Sequence, residues 1–192
     1  MTTRRRTHLA AALTTVALGA GGAALAAPSA TAGPGWHATA RSDAVPHTFA
    51  GDLVDLAPAV SGPFDGASAV VRMRSNTRGA TFHLVVKGVA EAGRGESFGA
   101  HLHLGPCVPG TPAAALGHYN TDALAGVTPV VASPSTEVWL DFTVDADGTG
   151  AAVAHVPFVP MPGNRSVVIH AESTNPSTGT AGARLACLPV SW

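Results

Sequence analysis

Gly99-Ala100-His101-Leu102-His103-Leu104-Gly105-Pro106-Cys107 places two histidines on alternate positions of an extended segment closed by glycine and proline. Side chains two residues apart on a strand share a face, so both imidazoles address one point. An H-x-H pair alone is a weak signal, and its weight here comes from its company. Gly117-His118-Tyr119-Asn120 and Val167-Val168-Ile169-His170 add two imidazoles, and Ala181-Gly182-Ala183-Arg184-Leu185-Ala186-Cys187 adds a cation and the second cysteine. Four neutral imidazoles without a thiolate or paired carboxylate suit copper, with zinc as the redox-silent alternative. His37, His47, His83 and His155 stand alone on their segments and are read as ordinary strand or loop residues.

Outward from that stretch the pattern is that of strands. Ala69–Ser75 and Ala80–Val89 alternate apolar and polar residues about Asn76-Thr77-Arg78-Gly79, which predicts a hairpin with Phe82, Leu84 and Val86 on one face. Asp145-Ala146-Asp147-Gly148 predicts a second turn, between strands at Trp139–Val144 and Thr149–Val156, and Arg165–His170 reads as a further strand. No apolar periodicity of helical type lasts three turns beyond the N-terminal segment, and 15 prolines with 22 glycines punctuate the chain. Such a chain is expected to form an all-β sandwich or barrel. The proline-rich stretch between His103 and Glu137 is expected to be a long loop region, and long ordered loops in small domains are usually functional.

Arg4–Arg6, the uncharged run Leu9–Ala27 and small residues at Ala30 and Ala32 predict an export signal over residues 1–32, removed from the mature chain. Arg5-Arg6 leaves both the general and the twin-arginine route open. Residues 33–50, with Trp36, His37 and His47, read as a flexible lead-in, and 51–192 as a single β domain. No later run offers the roughly 18 apolar residues of a membrane anchor, so a secreted or wall-associated protein is expected. Loss of the signal removes three of eleven basic residues and none of twelve acidic ones, leaving eight against twelve, or minus four. That balance argues against a nucleic-acid partner. Cys107 and Cys187, both in the exported part, are expected to pair. Closing so long a loop contributes about 4 kcal/mol by chain entropy.

Together these segments resemble the copper/zinc superoxide dismutase family over most of Ala69–Val190, most specifically in the strand ending at His170 and the A-G-x-R-L-A-C run that follows it. The resemblance implies a Greek-key β-sandwich, or flattened barrel, with long loops. It implies His101, His103, His118 and His170 as copper ligands, and Arg184 as the arginine that guides the anionic substrate. Cys107–Cys187 matches the family's intrasubunit disulfide. The activity implied is disproportionation of superoxide to oxygen and hydrogen peroxide, with His118 and Arg184 as catalytic residues.

Departures from the family pattern narrow the expectation. No histidine follows His118 before His155, Asp122 alone cannot hold zinc, and the segment from His170 to Arg184 is short. The chain is therefore similar to the copper-only branch, and zinc is not expected. A carboxylate should then hold the far nitrogen of His118, with Glu137 the first candidate and Asp122 the second. The rival expectation is a non-catalytic exported copper-binding protein of the same fold that sequesters or delivers the metal.

Overall fold

Alternation of small or apolar with polar residues builds the first sheet. In the computed structural model, which describes residues 45–57 and 61–192, β1 (Val45–Asp52) opens the described chain and β2 (Val54–Asp55) follows. β3 (Ser68–Asn76) and β4 (Gly79–Lys87) then form the expected hairpin around Thr77-Arg78. Phe82, Leu84 and Val86 point inward from β4 against Val71 and Met73 of β3. Burying each such side chain contributes about 1.5–3 kcal/mol. After β5 (Ser97–Phe98) and β6 (Ala100–His103) the chain makes two short helical turns, Pro112–Ala115 and α1 (Thr121–Ala125). β7 (Phe142–Thr143), β8 (Gly150–Val156), β9 (Asn164–His170) and β10 (Arg184–Ser191) complete the fold.

Two four-stranded sheets result, ordered β1-β3-β4-β8 and β2-β10-β9-β6, and a small β5-β7 ribbon lies beside them. Every pairing is antiparallel. Neighbours such as β4 with β8 and β6 with β9 are distant in sequence, so the chain passes repeatedly from one sheet to the other, as a Greek-key sandwich requires. The all-β sandwich expected from the sequence is what forms, and no helix among the described residues is long and apolar enough to cross a membrane.

Two local expectations are corrected. Val45–Ala50, read as part of a flexible lead-in, belongs to β1 and pairs along its whole length with β3. It is an edge strand, where only His47 and Phe49 turn inward to meet Trp192, so its hydrophobic alternation is too thin to read. The turn at Asp145–Gly148 forms as expected, with the Asp145 carboxylate accepting from the Asp147 and Thr149 amides. The segment before it is not one strand, however. Val138–Leu140 hydrogen-bonds to β6, and only Phe142–Thr143 pairs with β5. Residues 1–32, with the predicted export signal, and 33–44, with Trp36 and His37, lie outside the described residues.

The second sheet is covered on both faces. Ala100 and Leu102 of β6, with Val167 and Ile169 of β9, enter the sandwich core. On the opposite face Val168 and Cys187 pack with Leu56 and Ala115 beneath the loop that follows β6. That loop lies close, because the Gly105 amide bonds the Ala115 carbonyl, and a Cβ at Gly105 would collide with the Ala114 carbonyl.

Candidate metal centre

His101 and His103 occupy the outward positions of β6, opposite Val168 and Ser166 of β9. Directly opposed residues share a face, and so do residues two apart, which puts His170 on the same face two positions beyond Val168. Arg184 reaches this face through an irregularity. The β9–β10 register shifts between Arg184 and Ala186, so that Arg184 rather than Leu185 lies opposite His170. The bulge re-aims the guanidinium toward the imidazoles, a frequent use of such distortions.

The fourth imidazole comes from the loop. His118 bridges to His103, and the Tyr119 amide bonds the Leu102 carbonyl, laying Gly117–Tyr119 along β6. One ring nitrogen from each of His101, His103, His118 and His170 lies within 4.8 Å of the others. The sequence-predicted ligand set is therefore one cluster, drawn from two strands and a loop.

Hydrogen bonding decides which nitrogen of each ring faces the centre. His103 Nδ1 lies 3.1 Å from the Leu116 carbonyl and His170 Nδ1 3.2 Å from the Gly182 carbonyl. Carbonyls only accept, so both Nδ1 atoms carry the proton and both Nε2 atoms carry the lone pair. The two Nε2 atoms stand 3.2 Å apart. His118 gives its Nδ1 proton to Glu137 Oε2 at 2.9 Å, leaving its Nε2 free. At His101 the order is reversed. Thr174 Oγ1 donates its one proton to Asp141 Oδ1 at 2.7 Å, so at 2.6 Å it accepts from His101 Nε2. His101 Nδ1 is buried without any partner.

That arrangement fits a metal ion. A buried unpaired nitrogen is costly, and two facing lone pairs at hydrogen-bond distance repel unless a cation joins them. Burial, reinforced by the neighbouring imidazoles, lowers His101 to a pKa of about 2; burial, then His118, lowers His103 to about 2. Burial lowers His170 to about 4 against the raising effect of the Gly182 carbonyl. These rings stay neutral at ordinary pH, the state in which imidazole binds metal.

The same values predict acid sensitivity. Unfolded imidazoles take up protons near pH 6.5, whereas these folded rings resist until far lower. Below pH 6.5 the unfolded chain binds more protons, so the stability these rings contribute is full above that value and falls as the pH falls. Denaturant midpoints of the metal-free protein are expected to drop steadily between about pH 7.5 and 5. A flat profile would show that the rings are not held neutral.

Glu137 is buried and receives three donors: His118 and Trp139 Nε1 on Oε2, and Asn120 Nδ2 on Oε1. Burial alone would raise its pKa, and the three hydrogen bonds outweigh this and hold it below the usual carboxylate range. The first candidate for the far nitrogen of His118 thus stands at that nitrogen. Asp122, the second candidate, does not. It lies in the first turn of α1, and its carboxylate accepts from the Val131 amide. Asn120 caps that helix through Oδ1, which orients its amide toward Glu137.

Arg184 donates to the carbonyls of Pro112 and Leu116, and burial lowers its pKa. It also lines an open groove with His118, His170, Thr178 and Gly182. Cys107 and Cys187 are joined as expected, which fastens the loop after β6 to β10.

Several contributors escaped the sequence reading. The Leu116 and Gly182 carbonyls, Thr174 and Asp141 orient three of the four rings, yet backbone acceptors and lone polar residues carry no spacing signal. Trp139, two residues beyond Glu137 in an extended segment, could have been found as its same-face neighbour. Thr174→Val keeps the side-chain shape and removes the partner of His101 Nε2. Metal affinity is expected to fall about 10–100-fold, the usual range for a partner that orients a ligand. Competition with a chelator measures it, and an unchanged affinity would show that the hydroxyl does not orient His101.

The fold and these side chains define a β-sandwich with a four-histidine centre able to hold a metal ion. Among solved structures, the chain is similar to the crystal structure of a double mutant of a SOD-like protein from Bacillus subtilis, with a TM-score of 0.52 and 19% identity, covering 74% of this chain and 97% of that one. At this identity the likeness speaks to the fold, which is SOD-like. No protein-family model and no curated protein matches the chain.

Proposed function

We propose that this is an exported copper enzyme that disproportionates superoxide at a single metal ion held by His101, His103, His118 and His170. The observation that carries the reading is the convergence of four ring nitrogens, three of whose opposite nitrogens are committed to Leu116, Gly182 and Glu137 and the fourth to Thr174. An all-nitrogen set favours copper among the common divalent ions. Copper, when bound, supplies one-electron oxidation and reduction, so that two superoxide anions and two protons give one oxygen and one hydrogen peroxide.

The protein's own residues do the rest. Glu137 keeps a proton on His118 Nδ1, so any proton exchanged by that ring is exchanged at Nε2. The same bond occupies the nitrogen through which a second metal would be bridged, which supports a centre without zinc. Arg184 places a positive charge beside the groove in an acidic protein, and such focusing speeds anion association by about tenfold or more. The disulfide suits export to an oxidising compartment.

A second reading is a non-catalytic exported copper carrier. The two bonds from Arg184 to loop carbonyls favour it, because they give the guanidinium a structural task that needs no substrate. To decide, the protein is loaded with copper, freed of excess metal and assayed for superoxide loss beside His118→Ala and Arg184→Ala. Turnover that is abolished by the first change and slowed by the second supports the enzyme. Tight copper without turnover establishes the carrier.

A further inference from the structure

The histidine centre lies on the outer face of one sheet, and the outer face of the other carries a different chemistry. Arg72 and Arg74 of β3 alternate with buried Val71 and Met73, so both project into solvent. The register sets them beside His83 and Thr81 of β4, which pair with Val153 and His155 of β8. Arg78, in the β3–β4 turn, is also exposed. Arg74, Asn76, Arg78, Thr81 and His155 line a shallow open groove at this end of the sheet. Among the described residues the only ion-pair contacts are His101–Asp141 and His118–Glu137, so no carboxylate lies in ion-pair contact with these three guanidiniums, and Asp52, on the same face, stands four positions along β1 from the partner of Arg72. In a chain of formal net charge −1, that is marked segregation of positive charge.

We propose that this face binds an acidic polysaccharide, the carboxylates or sulfates of an extended sugar chain pairing with Arg72, Arg74 and Arg78. Guanidinium forks match carboxylate and sulfate oxygens two at a time. Residues two apart on a strand stand roughly 6.8 Å apart, so the row offers charges at intervals along a flat, rigid surface. A nucleic acid fits less well, because the face presents no Phe, Tyr or Trp on which bases would stack. A membrane fits less well too, since Val153 is the one exposed large apolar side chain on β8 of this face and interfacial binding needs an apolar stripe. The two faces lie on opposite sides of the sandwich, so a polymer held here leaves the histidine centre open.

The test uses the purified full chain on immobilised dextran sulfate, polygalacturonate and neutral dextran, and in solution with duplex DNA and phosphatidylglycerol vesicles. Retention on one or both acidic polymers, released by salt and absent on neutral dextran, is expected. R72Q/R74Q/R78Q should bind about tenfold more weakly, the product of three exposed charge contacts of about 0.5 kcal/mol each. Its melting temperature and copper uptake should stay as in the parent. Arg94→Gln, which removes an exposed charge outside this face, should leave binding in place. The proposal is overturned if neither acidic polymer binds, or if the triple variant binds like the parent. It is equally overturned if Arg94→Gln weakens binding as much as the triple variant does, or if DNA or vesicles bind more tightly through the same arginines. None of these readouts depends on superoxide turnover, so the polysaccharide reading and the enzymatic reading fail separately.

Discussion

Glu137→Gln is expected to lower stability and, on the proposed enzymatic reading, copper affinity and superoxide turnover with it, although it exchanges one oxygen for an amide nitrogen of nearly the same size. The reason lies in the donors that surround the carboxylate. His118 Nδ1 and Trp139 Nε1 point at Oε2, and Asn120 Nδ2 points at Oε1 at 2.8 Å. A carboxylate, which only accepts, satisfies all three. A glutamine must turn its NH2 toward one side and meet a donor there. Asn120 cannot flip to help, because its Oδ1 already caps α1 through the Asp122 and Ala123 amides and its Nδ2 also bonds the Val131 carbonyl. One buried donor is therefore left unpaired, at about 1–3 kcal/mol. His118 also exchanges a charge-assisted bond for a weaker neutral one, so its tautomer is held less firmly. Loss of such a partner lowers metal affinity or activity by about 10–100-fold. Thermal unfolding, chelator competition and superoxide assays of the copper-loaded protein measure the three effects. Stability lost with turnover intact would reduce Glu137 to a structural role.

How much of this was legible in the sequence follows from how each signal is encoded. The β3–β4 hairpin was readable because its two strands each bury one face, which writes a period of two into the residues, and because Asn76 and Gly79 bracket the turn. β9 was readable for the opposite reason, since Ser166 to His170 is buried on both faces and Val167-Val168-Ile169 within it is an unbroken apolar run. β1 was missed because an edge strand with two inward residues writes almost no pattern. The four histidines were legible as candidates from type and local spacing, and Glu137 from the need of His118 for a partner once the resemblance implied a centre without zinc. Asp122 was equally acidic and nearer in sequence, but α1 turns its carboxylate to the Val131 amide, a choice of direction that sequence alone does not carry. The bulge before Ala186 is another such choice, for unbroken alternation along β10 would have put Leu185, not Arg184, on the histidine face.

Replacing Cys107 and Cys187 together by alanine is expected to give the largest loss of stability of any change considered, and to weaken the metal centre as well. The bridge closes a loop spanning 80 positions, and the chain-entropy account assigns such a loop about 4 kcal/mol, entirely through the unfolded state. For a domain of this size that is a fall in melting temperature of about 8–16 °C. Alanine rather than serine keeps an unpaired hydroxyl out of the site of Cys187, which is fully buried beside Val168 and Ala115. The second effect acts in the folded state. Cys107 opens the loop whose Leu116 carbonyl orients His103 and whose next turn presents His118, and Arg184 ties the same loop to β10 through Pro112 and Leu116. With the bridge gone, the two arginine bonds, the bonds from the Leu104 and Gly105 amides to the Gly117 and Ala115 carbonyls, and the packing of Ala115 are left to hold the acceptor against His103. A metal ion that binds only the folded protein stabilises it by an amount that grows with the logarithm of its affinity, so on the proposed reading the rise in melting temperature on adding copper reports the centre separately from the chain. That rise is expected to be smaller in the double variant than in the parent. Equal rises would show that the loop keeps its shape without the bridge, and that the disulfide acts only by restricting the unfolded chain.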